Sequence, residues 1–342
     1  MRKRKVFAGI LAVMMVGASV GCSGTAQDTA ASWPQRPIQN VIPFGAGGGT
    51  DVWNRAVMDS LSGELDQTVI SSNMVGGSAG SNGVDYVWKS QHDGYTLCGT
   101  SETTLTIPVQ TGLEQTSEDW KYFIAAGSPG VLCVNKDSAY QSIDTIYEQL
   151  QSEPESVSIA GTSGGLWFAL AKLFDAYGET PFKWIAYDGS GTAIKGCVSK
   201  ETDAVVASAG EVKEYVKAGD LIPVAIMDKT GWEFPGFGAV PSVIDTVPAL
   251  EPYLPLNQFL GFKVPADTDE AIVAQLEEAF HKVMASDKIK TFAEEQLCVI
   301  YDQAGEESEA MVKDLESKLC WVLYDMGQTK FSPEEFGIER AE

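Results

Sequence analysis

The chain reads as an α/β protein with mainly parallel sheets. Short apolar runs alternate with stretches of helical periodicity along its body, the order that builds parallel sheets covered by helices. Gly/Ser-rich clusters recur directly after several of those runs, where open α/β sheets turn from strand to helix. With 342 residues and 44% apolar composition, the chain is long enough for two domains of ordinary size.

The first element is a leader. Met1-Arg2-Lys3-Arg4-Lys5 is basic, Val6 to Val20 is apolar or small, and Cys22 follows Gly21. Residues 1–21 therefore read as a lipoprotein signal peptide, with Cys22 as the acylated N-terminus that cleavage leaves. The apolar run is short of the roughly 20 residues a membrane span needs. Residues 22–32 are small and polar, a flexible tether. "NVIPF", "TVISSN" and "YTLCGTS" follow as strands, and residues 51–65 between the first two place Trp53, Val57 and Leu61 on one helical face. A second series of strands comes in "SVSIAGTSGG", "FKWIAYDGS", "TDAVVASAG" and "LIPVAIM", separated by helical stretches at 166–177 and 211–218. "QFLGFKVP" then returns as a strand, and residues 269–286 carry Ile272, Val273, Leu276, Phe280, Val283 and Met284 on one stripe. No extended linker separates the two series, so the chain crosses between domains more than once. The resulting division is domain 1 over 33–130 and 231–342, and domain 2 over 131–230.

Charge narrows the partners. The formal charge is −23, and removing the four basic residues of the leader takes it to −27, which argues against nucleic acid. Past the leader only Arg36, Arg55 and Arg340 remain, so guanidinium clamps on a carboxylate are scarce. Cys98, Cys133, Cys197, Cys298 and Cys320 are widely spaced with no C-x-x-C pair, and read as isolated buried thiols and not as a disulfide framework or zinc site.

"VIPFGAGGGTDVWNR" (41–55) passes from a strand through glycines into a helix. A helix start leaves backbone N–H groups unpaired at the positive end of the dipole, and glycines let an anion approach them closely. A phosphate-binding Walker loop is excluded because no Gly-Lys-Ser/Thr follows, and Thr50 stands where a dinucleotide fingerprint needs its last glycine. A purely structural role, a tight turn with Thr50 or Asp51 as cap and an Asp51–Arg55 pair at i,i+4, is the plainer alternative. Three further clusters, "SSNMVGGSAGSNG" (71–83), "AGTSGG" (160–165) and "YDGSG" (187–191), also follow strands. Four such loops at strand ends describe a cleft lined by backbone donors and hydroxyls.

The chain resembles the substrate-binding proteins of tripartite tricarboxylate transporters, the Bug-type periplasmic receptors, over essentially its whole mature length. The resemblance is carried by "WPQRPIQNVIPFGAGGGTDVWNR" (33–55), "NMVGGSAGSNG" (73–83), "DGYTL" (93–97), "YDGSGTAI" (187–194), "AGDLIPVAI" (218–226) and "GFKVPADTDEAIVAQL" (261–276). It implies a two-domain, type II-like Venus-flytrap binding protein, exported and lipid-anchored at the outer face of the cytoplasmic membrane or in the periplasm. Such a protein captures a small organic acid in the interdomain cleft, without metal or other cofactor, and delivers it to membrane permease subunits. The positions matching the family's carboxylate grip are Gly47, Gly48, Thr50 and Asp51 in the first domain, and Thr162, Ser163 and Gly164 in the second. Met74 and Val75 stand where the family usually has a basic residue and proline, His92 replaces a proline, and Trp167 and Phe168 follow the second-domain loop.

An exported serine hydrolase is the rival reading. "GGSAG" (76–80) matches G-x-S-x-G with Ser78 as nucleophile, and Asp267, Asp269 and His281 follow in the order of α/β-hydrolases. His281 falls on the polar side of its helix beside Glu277 and Glu278, and His92 in a turn, so no catalytic residues are expected.

Overall fold

A computed structural model describes residues 32–162 and 164–341. The signal peptide, Cys22, nearly all of the tether and Ser163 lie outside the described residues.

Strand-to-helix turns recur as the Gly/Ser clusters require. β1 (Ile38–Ile42) runs into α1 (Gly49–Glu64), β2 (Val69–Asn73) precedes α2 (Ser81–Trp88), and β3 (Thr96–Ser101) precedes α3 (Ile107–Thr111) and β4 (Trp120–Gly127). The second series is β5 (Gly130–Asn135), α4 (Ile143–Ser152), β6 (Ser158–Thr162), α5 (Leu166–Gly178) and β7 (Lys183–Tyr187). It continues through α6 (Ser190–Val198), β8 (Ala204–Ser208), α7 (Ala209–Lys217) and β9 (Leu221–Ile226). A hairpin of β10 (Trp232–Phe234) and β11 (Gly238–Val240) and the short α8 (Val243–Thr246) lead back to β12 (Leu260–Pro265). α9 (Glu270–Ala285), α10 (Asp287–Glu295), β13 (Val299–Gln303) and α11 (Gly305–Asp325) follow.

The strands form a six-stranded sheet, β13-β4-β12-β3-β1-β2, and a five-stranded sheet, β7-β6-β8-β5-β9. β1 pairs in parallel with β2 and β3, and β6 with β7 and β8. In the first sheet β1 to β4 share one direction while β12 and β13 oppose it; in the second, β5 opposes the rest. The sheets are thus mixed and mainly parallel. β5 and β12 are the first strands laid down after each crossing between sheets, and they enter with the reversed direction. The outward crossing is only Ser128-Pro129, between β4 and β5.

Burial explains the helices. α1 packs Trp53, Val57 and Leu61 inward, the face read from the sequence. On the same sheet Phe280 of α9 stands edge-on to Phe123 and Phe262, whose rings stack with centroids 4.4 Å apart. Removing such a fully buried ring typically costs about 3–5 kcal/mol. α11 packs on β4 and also touches α5 of the other lobe, so one apolar cluster spans both sheets. Among the described residues no helix is long and apolar enough to cross a membrane.

Candidate functional site

The loop from Gly45 to Gly48 leaves β1 and starts α1 with a glycine, which has no side chain, at the N-cap position. Gly47 lies at φ +85°, a left-handed conformation that favours glycine. Its amide donates to Asp51 Oδ2 at 3.0 Å, while Asp51 Oδ1 accepts from Arg55 Nε at 2.9 Å and Asn73 Nδ2 at 2.8 Å. Asn73 Nδ2 also donates to the Phe44 carbonyl at 2.9 Å. The i,i+4 pair expected from spacing therefore forms, and buried Asp51 braces the loop from behind.

The other lobe presents two comparable turns. β6 passes through Gly164 and Gly165, at φ +67° and +82°, into α5, and β7 passes through Gly189 into α6. Both helices start without a side-chain cap. A Cβ on Gly165 would lie 2.5 Å from Thr103 Cγ2, so only a glycine lets this turn press on the segment that follows β3. A Cβ on Gly191 would lie 3.1 Å from the Gly47 carbonyl carbon, and one on Gly189 3.2 Å from the Gly45 amide nitrogen. The glycine loops of the two lobes meet backbone to backbone, and the lobes are closed.

Between them remains a cavity of about 20 Å³, room for about one water. The first lobe lines it with Phe44, Gly48, Gly49, Thr50, Glu102 and Thr103. The second contributes Thr162, Trp167, Gly189, Ser190 and Glu211, and Gln258 comes from the segment returning to β12. Roomier hollows, of about 330 and 340 Å³, lie beside α11, away from the glycine loops.

Two carboxylates set the electrostatics. Glu211, on the first turn of α7, accepts from the Ser208 amide and hydroxyl through Oε2, at 2.9 and 2.8 Å, in a capping box. Its Oε1 reaches across the cleft and accepts from the Gly49 amide at 2.5 Å. The start of α1 is thus capped by a side chain of the other lobe. Glu102 is buried, and its carboxyl accepts from the Phe259 amide at 3.0 Å and the Thr103 hydroxyl at 3.2 Å. Burial pushes its pKa up to about 8, with the charge of Glu211 adding to the effect, so it is largely protonated at neutral pH.

Of the residues singled out from sequence, Gly48, Thr50 and Thr162 line the cavity. Gly47 and Asp51 hold the loop, and Gly164 packs on the Ser78 turn, where a Cβ would lie 3.4 Å from Ser78 Oγ. Sequence reasoning missed Glu102 and Glu211. The second was legible as the Glu of an S-x-x-E capping box at 208–211; the first had no signal beyond its place after a strand. Both histidines have other partners than Ser78: His92 bonds Asp267 and the Trp88 carbonyl, and His281 bonds Asp302. Among the described residues there is no group of three or more His, Cys, Asp or Glu placed to hold a metal ion. What the arrangement can do is enclose a small solute between helix starts, hydroxyls, two aromatic rings and two acids.

Residues 53–323 match the Tripartite tricarboxylate transporter family receptor. Protein BugT of Bordetella pertussis is 28% identical over 282 residues, covering 80% of this chain and 84% of that protein. Among solved structures, R. palustris Rpa4515 with adipate superposes with a TM-score of 0.78 at 20% identity, covering 86% of this chain and 98% of that one. MatC (Rpa3494) from Rhodopseudomonas palustris with bound malate gives 0.76 at 19% identity, covering 85% and 100%. At these identities the two structures establish the shared two-lobed periplasmic binding protein fold.

Proposed function

This chain belongs to the tripartite tricarboxylate transporter receptor family, and from that membership we propose that it captures a small organic acid between its lobes and delivers it unchanged to membrane permease subunits. The observation that carries the reading is the meeting of the 45–48 and 189–191 loops around a cavity at the starts of α1 and α6. Backbone amides at such starts hold carboxylates without a cationic side chain. Adipate and malate, found with the two fold relatives, are both carboxylates. In this reading Gly48, Thr50, Thr162 and Ser163 contact the solute, and Gly47, Asp51 and Gly164 hold the loops that do so. The composition of the two sheets supports lobes over 33–130 with 231–342 and over 131–230.

Native mass spectrometry of gently purified protein tests the reading. A retained small carboxylate, released unchanged on unfolding, is the expected result. A protein that retains nothing, and whose unfolding temperature no carboxylate raises, would count against it. The leader and Cys22 further support export and lipid anchoring. Cys22→Ser should move the protein from the membrane fraction to the soluble one, and unchanged membrane retention would contradict the anchor.

A further inference from the structure

The cleft carries charge of one sign. Its ionisable lining residues are Glu102 and Glu211, and among the described residues no lysine, arginine or histidine lines it. Arg36, Arg55 and Arg340 are paired elsewhere, with Asp93, Asp51 and Asp325. A solute carboxylate has a place at the uncapped start of α6, beside the Thr162 and Ser190 hydroxyls, which lie 3.2 Å from each other. At the start of α1 the situation is reversed. The Gly49 amide is already taken by Glu211, so a second solute carboxylate placed there would meet the negative charge of Glu211 with no compensating cation. Like charges in a desolvated cleft are mutually costly, whereas a protonated nitrogen is attracted to the Glu211 carboxylate, favours ionisation of Glu102 beside it, and is attracted to the faces of aromatic rings. Phe44 and Trp167, both buried, supply such rings in the same cavity.

We propose that the solute carries a protonated nitrogen as well as its carboxylate, and that Glu102 and Glu211 are the specificity-determining residues that receive the nitrogen. This rests on the organic-acid reading above and adds the charge at the other end of the molecule. Glu211 holds the start of α1 and faces the cation directly. Glu102, which faces Glu211 from α7 and Tyr301 from β13, gives up its proton as the cation arrives.

The test uses four matched sets of straight-chain compounds: dicarboxylates, aminocarboxylates, monocarboxylates and primary amines. Each is titrated calorimetrically into the mature protein, Glu211→Gln and Glu102→Gln. Glutamine keeps the shape and removes the charge, and circular dichroism checks that each variant folds. Aminocarboxylates should bind about tenfold or more tighter than matched dicarboxylates, a difference of about 1.4 kcal/mol, and Glu211→Gln should erase or reverse that preference. Aminocarboxylate binding should also release protons, seen as an enthalpy that varies with the buffer. Tighter binding of dicarboxylates to the wild type would overturn the cation site and leave the organic-acid reading standing. A preference unchanged in both variants would overturn the roles of the two acids. Binding of primary amines alone would keep the cation site and remove the carboxylate; no binding by any set would count against the organic-acid reading itself.

Discussion

Glu102 departs furthest from the usual state of its side chain, and stability should report it. Its carboxyl is pushed from an ordinary 4.5 to about 8 by burial. Between those values the unfolded chain has lost a proton that the folded chain keeps, so the folded state binds more protons and stability falls as pH rises through the window. Glu316, pushed up to about 7 by burial, acts in the same direction, whereas Lys263, pushed down to about 8, adds stability only above that pH. Glu102→Gln isolates one contribution. Its unfolding free energy relative to wild type, from denaturant titrations, should rise between about pH 5 and about pH 8, by an amount on the order of a few kcal/mol; a difference that stays flat would show that Glu102 ionises freely. Gly48 makes a second residue-scale prediction. Its φ is −80°, open to any residue, and a Cβ would meet Glu211 Oε1 and the Gly45 carbonyl oxygen at 3.6 Å, ordinary contact. Gly48→Ala should therefore fold and bind, whereas the branched side chain of Gly48→Val must enter the small cavity. That variant should unfold within about 1 kcal/mol of wild type and lose affinity by about tenfold or more. Unaltered affinity in folded Gly48→Val would make the glycines a matter of turn geometry alone.

Pairs of loops, not single residues, decide whether the lobes can close. The backbone approach of Gly191 to Gly47 leaves a Cβ only 3.1 Å from a carbonyl carbon that cannot move aside cheaply. Gly191→Ala should consequently weaken solute binding while each lobe keeps its fold, which calorimetry and circular dichroism on one sample would check; equal loss of structure and affinity would contradict it. At this scale the sequence was legible where one face is buried and the other wet. Trp53, Val57 and Leu61 of α1, and Leu276 and Phe280 of α9, gave those helices away. β4 and β5 escaped because every residue of β5 and nearly every residue of β4 is buried, leaving no alternation to read. α11 escaped because its inner face includes Ser308, Glu316 and Ser317, and Glu316 is satisfied by the Ser117 amide and hydroxyl from far along the chain. The same limit hid half of the site. Gly48, Thr50 and Thr162 follow from local strand-loop-helix patterns, whereas Glu211 reaches the start of α1 across 162 positions, a contact no local pattern encodes.

For the whole molecule, two sheets joined by a two-residue crossing outward and a longer return through the β10–β11 hairpin form lobes that meet on their glycine loops, with a net charge of −23 over the full chain. A molecule so acidic repels anions at long range, so affinity must come from local geometry inside the closed cleft. In the proposed function the lobes part to load the acid and close again around it, since a cavity of about 20 Å³ neither admits nor holds an organic acid without widening. Solute capture by that motion is the central claim. Small-angle X-ray scattering on protein stripped of solute by unfolding and refolding, before and after the retained solute is returned, tests it most directly. The stripped protein should be more extended than the closed structure and contract toward it when solute is added. A stripped protein that already scatters as the closed form, and does not change when a solute shown to bind is added, would contradict the account.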